Sequence, residues 1–387
     1  MSDSPRKVNK AALIVMLLFV VAIIGVIIYA NISSNSSYTS WESVLSFENI
    51  LEADHIRTKD GFIEFNRDGA VKYTSGGNMA WNVSYKMEDP IADVSGDFAV
   101  FADRGSQTVH VTDGTGANHS FNVSEKIVQV NVADKGITAV RTNAGDSDRI
   151  YLYDINGNML LDMKTDVKKS GFPITMALSD DGKKLVTSYF EVGQQNKGWL
   201  TFYNFDDVGQ NYTDKIVGSF SYDENLIVDI RVLSDSRVAV FYADGCDLYK
   251  FREKPELIKS IKVDGGIEAV CDSGNGFAIA KKETEDNYSV SIYDLNGKVI
   301  SQVISSMSFD TMRLENGELF LTSDDSYVIF RKDGDEKIRS RFDDAIRLIF
   351  PGGSKTEYVL VGENKTGIIH LRTLKEDAAE IADPNVQ

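Results

Sequence analysis

The chain has 387 residues, with 58 acidic and 41 basic side chains and a net charge of −17 at neutral pH. That excess of acid argues against nucleic acid or an anionic lipid surface as a partner, since both reward basic patches. With Cys246 and Cys271 as its only cysteines, a disulfide-stapled scaffold is excluded for a chain long enough to bury its own core, and two buried free thiols are the expected state.

The first ten residues carry Arg6, Lys7 and Lys10 against one acid, Asp3. Residues 11–30, AALIVMLLFVVAIIGVIIYA, are uncharged and almost wholly apolar. As a helix this run reaches about 30 Å, the thickness of a bilayer hydrocarbon core. It is longer than the apolar core of a cleaved signal peptide, and Ala30 follows Ile28 where a cleavage site would place a small residue. No Lys or Arg occurs from Asn31 to Ile56, while Glu42, Glu48, Glu52 and Asp54 do. The charge asymmetry predicts a single-pass signal anchor with residues 1–10 as a cytoplasmic stub and everything after residue 30 outside the cell membrane. Residues 31–40, NISSNSSYTS, read as a flexible polar stalk.

From Trp41 to Arg372 the texture is uniform: short alternating runs such as FIEF (62–65), DFAVFA (97–102), TVHVT (108–112) and SVSIYD (289–294), separated by Gly, Asp and Asn. Period-2 alternation with frequent turn signals predicts half-buried strands in an all-β domain. Tyr153-Asp154-Ile155-Asn156-Gly157 recurs as Tyr293-Asp294-Leu295-Asn296-Gly297, and Asn-Gly predicts a type I′ hairpin in each copy. Weaker copies of the strand–turn–strand unit extend the series to anchors at 77, 114, 157, 209, 254, 297 and 334, spaced 37 to 52 residues apart. A four-stranded unit at that period predicts a β-propeller. Three further strands, AIRLIF (345–350), EYVLVG (357–362) and GIIHLR (367–372), make an eighth blade if residues 43–49 supply its outer strand. Eight blades are therefore favoured and seven are the alternative, over a propeller at residues 41–372. Residues 373–387, TLKEDAAEIADPNVQ, are charged and read as a disordered tail.

Catalytic signatures are absent: the chain contains no G-x-S-x-G, no H-E-x-x-H and no phosphate-binding G-x-x-x-x-G-K-[ST] loop. Its four histidines, His55, His110, His119 and His370, are dispersed, so no zinc site is expected. The turn Ser179-Asp180-Asp181-Gly182 lacks the spacing of a calcium loop and reads as turn chemistry. No catalytic residue, metal or cofactor is expected. Eight N-x-S/T sequons are present, meaningful only for a eukaryotic secretory chain. Function is expected on variable loops at one face of a rigid scaffold. The longest links, including 165–172 and 191–198, fall where outer strands lead to the next blade and where second strands lead to third ones. On that face Phe172, Gln194, Gln195 and Trp199 are the candidate binding residues.

Three stretches, DPIADVSGDFAVFAD (89–103), GFPITMALSDDGKKL (171–185) and FYNFDDVGQN (202–211), resemble a family of single-pass, propeller-like proteins of Gram-positive anaerobes known only as a domain of unknown function. The resemblance implies a bacterial cell-surface location and a propeller of the WD40 or quinoprotein-like kind. The chain lacks the repeated Trp-Asp dipeptide and the adjacent cysteine pair of that wider superfamily, so no quinone cofactor is implied. The expected function is a membrane-anchored extracytoplasmic binding or scaffold module. Its partner would be a protein, a peptide or a cell-wall glycan. The alternative is a glycan hydrolase or lyase with carboxylates at the central channel.

Overall fold

In the computed structural model, the described residues are 38–145, 147–166, 171–192, 196–222, 225–234, 236–285 and 287–382, together with Met16 and Phe19. The expected membrane span thus lies outside the described residues apart from those two. Among the described residues no helix is long and apolar enough to cross a membrane. Two units are distinguished, one comprising Glu42–His370 and a smaller one from the chain's two ends.

The large unit is an all-β propeller of eight four-stranded sheets. Blades 1 to 7 are consecutive meanders at Asp54–Ser84, Pro90–Asn122, Lys126–Asp166, Phe172–Ser221, Ile227–Lys262, Ala269–Ser305 and Thr311–Arg341. Blade 8 takes its three inner strands from Ile346–Thr373 and its outermost from β1, Tyr38–Glu48. The favoured count of eight and the borrowed outer strand are both present.

Burial grades outward and explains the sequence texture. Second strands carry buried apolar residues on both sides, as at Leu319, Phe320 and Leu321 in Glu318–Ser323, because neighbouring blades cover both faces. Outer strands alternate, as in Val299–Ser305, where Ser301, Val303 and Ser305 are buried and Val299, Ile300, Gln302 and Ile304 are exposed. The core is accordingly divided into layers between adjacent blades. Val186, Leu200 and Phe202 of blade 4 meet Ile230, Val240 and Tyr249 of blade 5. Phe62 of blade 1 packs with Leu348, Phe350 and Val359 of blade 8.

Asn49 makes the closure specific. Its side chain donates to Gly362 O (2.8 Å) and accepts from Thr366 Oγ1 (2.8 Å), and its amide donates to Asn364 O (2.9 Å). The next amide, Ile50, donates to the buried Glu64 carboxylate of blade 1 (3.2 Å). Two successive residues thus tie the last blade to the first.

The repeated hairpins differ from the expected type I′ turn. Gly157 (φ 78°) and Gly297 (φ 73°) are left-handed, but Asn156 and Asn296 are not. Asp154 Oδ1 accepts the amides of Asn156 and Asn158, both at 2.9 Å, while Gly157 N donates back to Asp154 O at 3.0 Å. The aspartate holds the central residues in a type I turn, and the left-handed glycine closes it beside the Asp154 N to Asn158 O bond (3.0 Å); a separate bulge at Leu160 follows, between the Tyr153–Met159 and Leu152–Leu161 pairs. Thr74 to Gly77, Asp113 to Gly116, Asp294 to Gly297 and Arg331 to Gly334 repeat the closure. The neighbouring blade also restricts the glycine position: a Cβ on Gly157 would stand 2.6 Å from Phe121 Cβ, and one on Gly116 would stand 2.6 Å from Trp81 Cβ.

In the smaller unit, the stretch read as a disordered tail carries helix α1, Leu374–Ala382. Glu376 reaches back to Thr373 as in one half of a capping box, its Oε2 accepting from the Thr373 amide (2.6 Å) and hydroxyl (2.8 Å). Asp377 accepts from Thr39 Oγ1 (2.8 Å) and Ser40 Oγ (2.7 Å), so a strand begins at Tyr38 inside the stretch expected to be stalk.

Two stability predictions follow from these contacts. Gly105 is left-handed like Gly157 (φ 79°), yet a Cβ there meets nothing within 4 Å. Gly105→Ala should cost about 1–2 kcal/mol of backbone strain, and Gly157→Ala clearly more; equal urea midpoints for the two variants would deny the inter-blade contact any weight. Asn49→Ala should cost about 1–3 kcal/mol by stranding Gly362 O and Thr366 Oγ1, with faster amide exchange confined to β1 and blade 8; uniform exchange throughout would contradict a local closure.

Candidate functional site

In each blade the first and third strands run toward one face, where first-to-second and third-to-fourth hairpins turn. On that face the central channel opens into a cavity of about 760 Å³. Its walls are the inner-strand ends and following turns of blades 1, 2, 4, 6 and 7, with Ile292, Tyr293 and Ile300 from the outer strands of blade 6 and Lys332 from an outer hairpin of blade 7.

Charged side chains on the inner strands organise this mouth. Arg57 donates to Glu315 through Nη2 (2.6 Å to Oε1) and Nε (3.2 Å to Oε2), reaching from blade 1 to blade 7. On the way its guanidinium lies 4.1 Å from the ring centroid of Phe350 in blade 8, a cation–π contact that fixes its plane. Arg313 Nη2 donates to Glu315 Oε2 at 3.2 Å, so two guanidiniums bracket one carboxylate. Burial, with Arg57 close by, lowers the Arg313 pKa from its ordinary value, although Glu315 opposes the shift.

On the next blades, 5 and 6, Arg231 bridges Asp229 (2.7 Å) and Asp272 (3.2 Å). Burial pushes the Asp272 carboxyl above the usual carboxylate range even so. Deeper in the channel Asp93 is also raised by burial, despite accepting from the Val132 amide (2.9 Å) and Asn131 Nδ2 (3.1 Å) of blade 3. Ser95 Oγ donates to Asp180 Oδ1 (3.0 Å), linking blades 2 and 4.

Counted over its lining, the mouth has four basic side chains, Arg57, Lys59, Arg313 and Lys332, and three acidic ones, Asp180, Asp272 and Glu315. This slightly positive opening sits on a strongly acidic protein. Glu315 and Asp272 are both engaged by guanidiniums, an arrangement suited to orienting charge for recognition.

Of the residues selected from loop length, Phe172 and Trp199 lie toward the opposite face, in blade 4. Phe172 opens the inner strand, paired with Phe190, and is 47% exposed. Trp199 lies between Tyr189 and Ser221 and is half-buried. Gln194 and Gln195 fall outside the described residues. Neither Phe172 nor Trp199 lines the mouth cavity. Loop length gave no hint of Arg57, Arg313 or Glu315. Their signal was charge at alternate positions of inner strands, as in TMRLE (311–315) and IVDIRVLS (227–234), where a two-sided core strand would carry none.

Both cysteines are free and buried. Burial pushes the Cys271 thiol up to about 12 and that of Cys246 higher, so neither is an activated nucleophile.

Among solved structures, BamB from Moraxella catarrhalis is similar with a TM-score of 0.53 and 14% identity, over 86% of this chain and 100% of that one. The WD40 domain of Neurospora crassa Pan2 gives a TM-score of 0.45 at 10% identity, over 73% and 88%. A eukaryotic initiation factor gives 0.47 at 12% identity, over 81% and 92%. At these identities the likeness to BamB speaks to the propeller fold alone. Comparison with curated proteins gives no match. Residues 34–371 match the profile of a family of unknown function, DUF5711, and the chain belongs to that family, in agreement with the resemblance carried by its three stretches.

Proposed function

We propose that this protein is a membrane-anchored extracytoplasmic propeller that acts as a binding or scaffold module for a protein, peptide or cell-wall glycan, with the channel mouth as its principal contact face. The observation that carries this reading is the cavity of about 760 Å³ with its four basic and three acidic side chains. Such a cavity on a rigid ring is a preformed recognition surface: its walls are hairpin ends fixed by the sheets, so little ordering cost attends binding. The anchor at residues 11–30 and the basic residues before it support the location. A hydrolytic reading would need a pair of carboxyl groups available for proton transfer and nucleophilic attack. At the mouth Asp272 and Glu315 are held by guanidiniums instead.

Two experiments test it. A reporter fused after Gln387 should be active outside the cytoplasm and one fused before Ser2 inactive there; the reverse pattern would overturn the placement. Full-length protein cross-linked in detergent-solubilised membranes should capture a partner, with capture lost in a Lys59→Glu/Lys332→Glu variant and retained in Phe172→Ala/Trp199→Ala. The opposite result would move the contact face to the other side of the ring.

A further inference from the structure

The outer parts of the blades carry three tyrosine–carboxylate pairs, two of which are completed by a basic side chain. Tyr151 Oη donates to Glu125 (2.6 Å), and Arg149 Nε lies 3.8 Å from the same carboxylate. Tyr358 Oη donates to Glu318 (2.6 Å), and Lys337 Nζ donates to Glu318 (2.7 Å), to Tyr358 Oη (2.5 Å) and to Lys355 O (2.8 Å). This last site shows how the fold houses an ammonium: one carboxylate, with a tyrosine hydroxyl and a backbone carbonyl beside it.

The third pair has no such partner. Asp247, 9% exposed, accepts from Tyr222 Oη (2.5 Å) and from Tyr242 Oη (3.4 Å), and Tyr222 Oη also meets Tyr249 Oη (2.7 Å). Burial raises Tyr222 well above the ordinary phenol range and holds Tyr242 and Tyr249 at about 12, so all three hydroxyls keep their protons. Among the described residues no basic side chain lies within salt-bridge distance of Asp247, and none lines the cleft of about 590 Å³ into which it opens, between blades 4 and 5. That cleft is walled by Phe220, Tyr222, Tyr242 and Tyr249. A carboxylate taken from water without a counter-charge is costly, and tyrosine hydroxyls offset only part of that cost.

We infer that this cleft is a binding site for an organic ammonium group, supplied by a small amine or by an exposed lysine of a partner, which takes the place that Lys337 fills beside Glu318. The carboxylate would provide the charge and the aromatic rings the cation–π faces. The site lies apart from the channel mouth and does not depend on what binds there.

Titrating full-length protein with tetramethylammonium and propylammonium, against their neutral isosteres tert-butanol and propan-1-ol, tests the assignment by saturation-transfer NMR. The ammonium ions should bind at least about tenfold more tightly than the neutral compounds. Equal binding, or no ammonium binding, overturns the inference without recourse to any variant. Asp247→Asn removes the charge while keeping one acceptor oxygen for a tyrosine hydroxyl, and should erase the preference; a preference that survives in the folded variant also overturns it. A Gly-Lys-Gly peptide compared with its norleucine counterpart separates the sources. Binding of the small ions alone points to a free amine, and a clear gain for the lysine peptide points to a partner's side chain.

Discussion

Every blade of this ring has two apolar faces and therefore needs two neighbours. A lone four-stranded meander such as Thr311–Arg341 would leave Leu319, Leu321 and Val328 on one side and Phe320, Tyr327 and Ile329 on the other facing water; in the ring all six are buried. An open row of blades would expose two such faces at its ends, each worth several side chains at about 1.5–3 kcal/mol apiece. The layered cores, the borrowed strand Tyr38–Glu48 and the Asn49 contacts all follow from that single requirement. Stability here resides in pairwise interfaces arranged in a circle.

The circular arrangement also decides where charge is tolerated. Inner strands have one side turned to the channel, where water and other inner strands compete to satisfy polar groups. There Arg57, Arg231, Asp272, Arg313 and Glu315 find one another across blades. The long reach of Arg57 over Phe350 to Glu315 shows that the mouth is bound together by side chains as well as by backbone. Further out, where blades press face to face, acids are satisfied by tyrosine hydroxyls and a neutralising base, as at Glu318 and Glu125, or by backbone amides, as at Asp103.

Fold and blade number were legible because both are periodic. Alternation marked the strands, and the recurring Tyr-Asp-x-Asn-Gly marked the hairpins. The turn type was misread because Asn-Gly is ambiguous in isolation: the aspartate two residues earlier selects the type I turn, and the approach of Phe121 leaves room for nothing larger than glycine. The helix at 374–382 was overlooked because its apolar face is weak, although Thr373 and Glu376 have the spacing of a capping box. The mouth was missed for a different reason. Its residues come from five blades, and partners such as Arg57 and Glu315 stand 258 positions apart. No local pattern joins them; only the geometry of the ring does.

The borrowed outer strand gives synthesis and folding opposite directions. Tyr38–Glu48 is the first strand of the propeller to leave the ribosome, and its hydrogen-bonding neighbour, Lys365–Thr373, is the last. A chain emerging from its N-terminus must therefore hold that first strand unpaired while seven blades assemble behind it. Sequences in such a position are under pressure to resist premature pairing, and Val44 and Leu45 remain partly open to solvent even after docking.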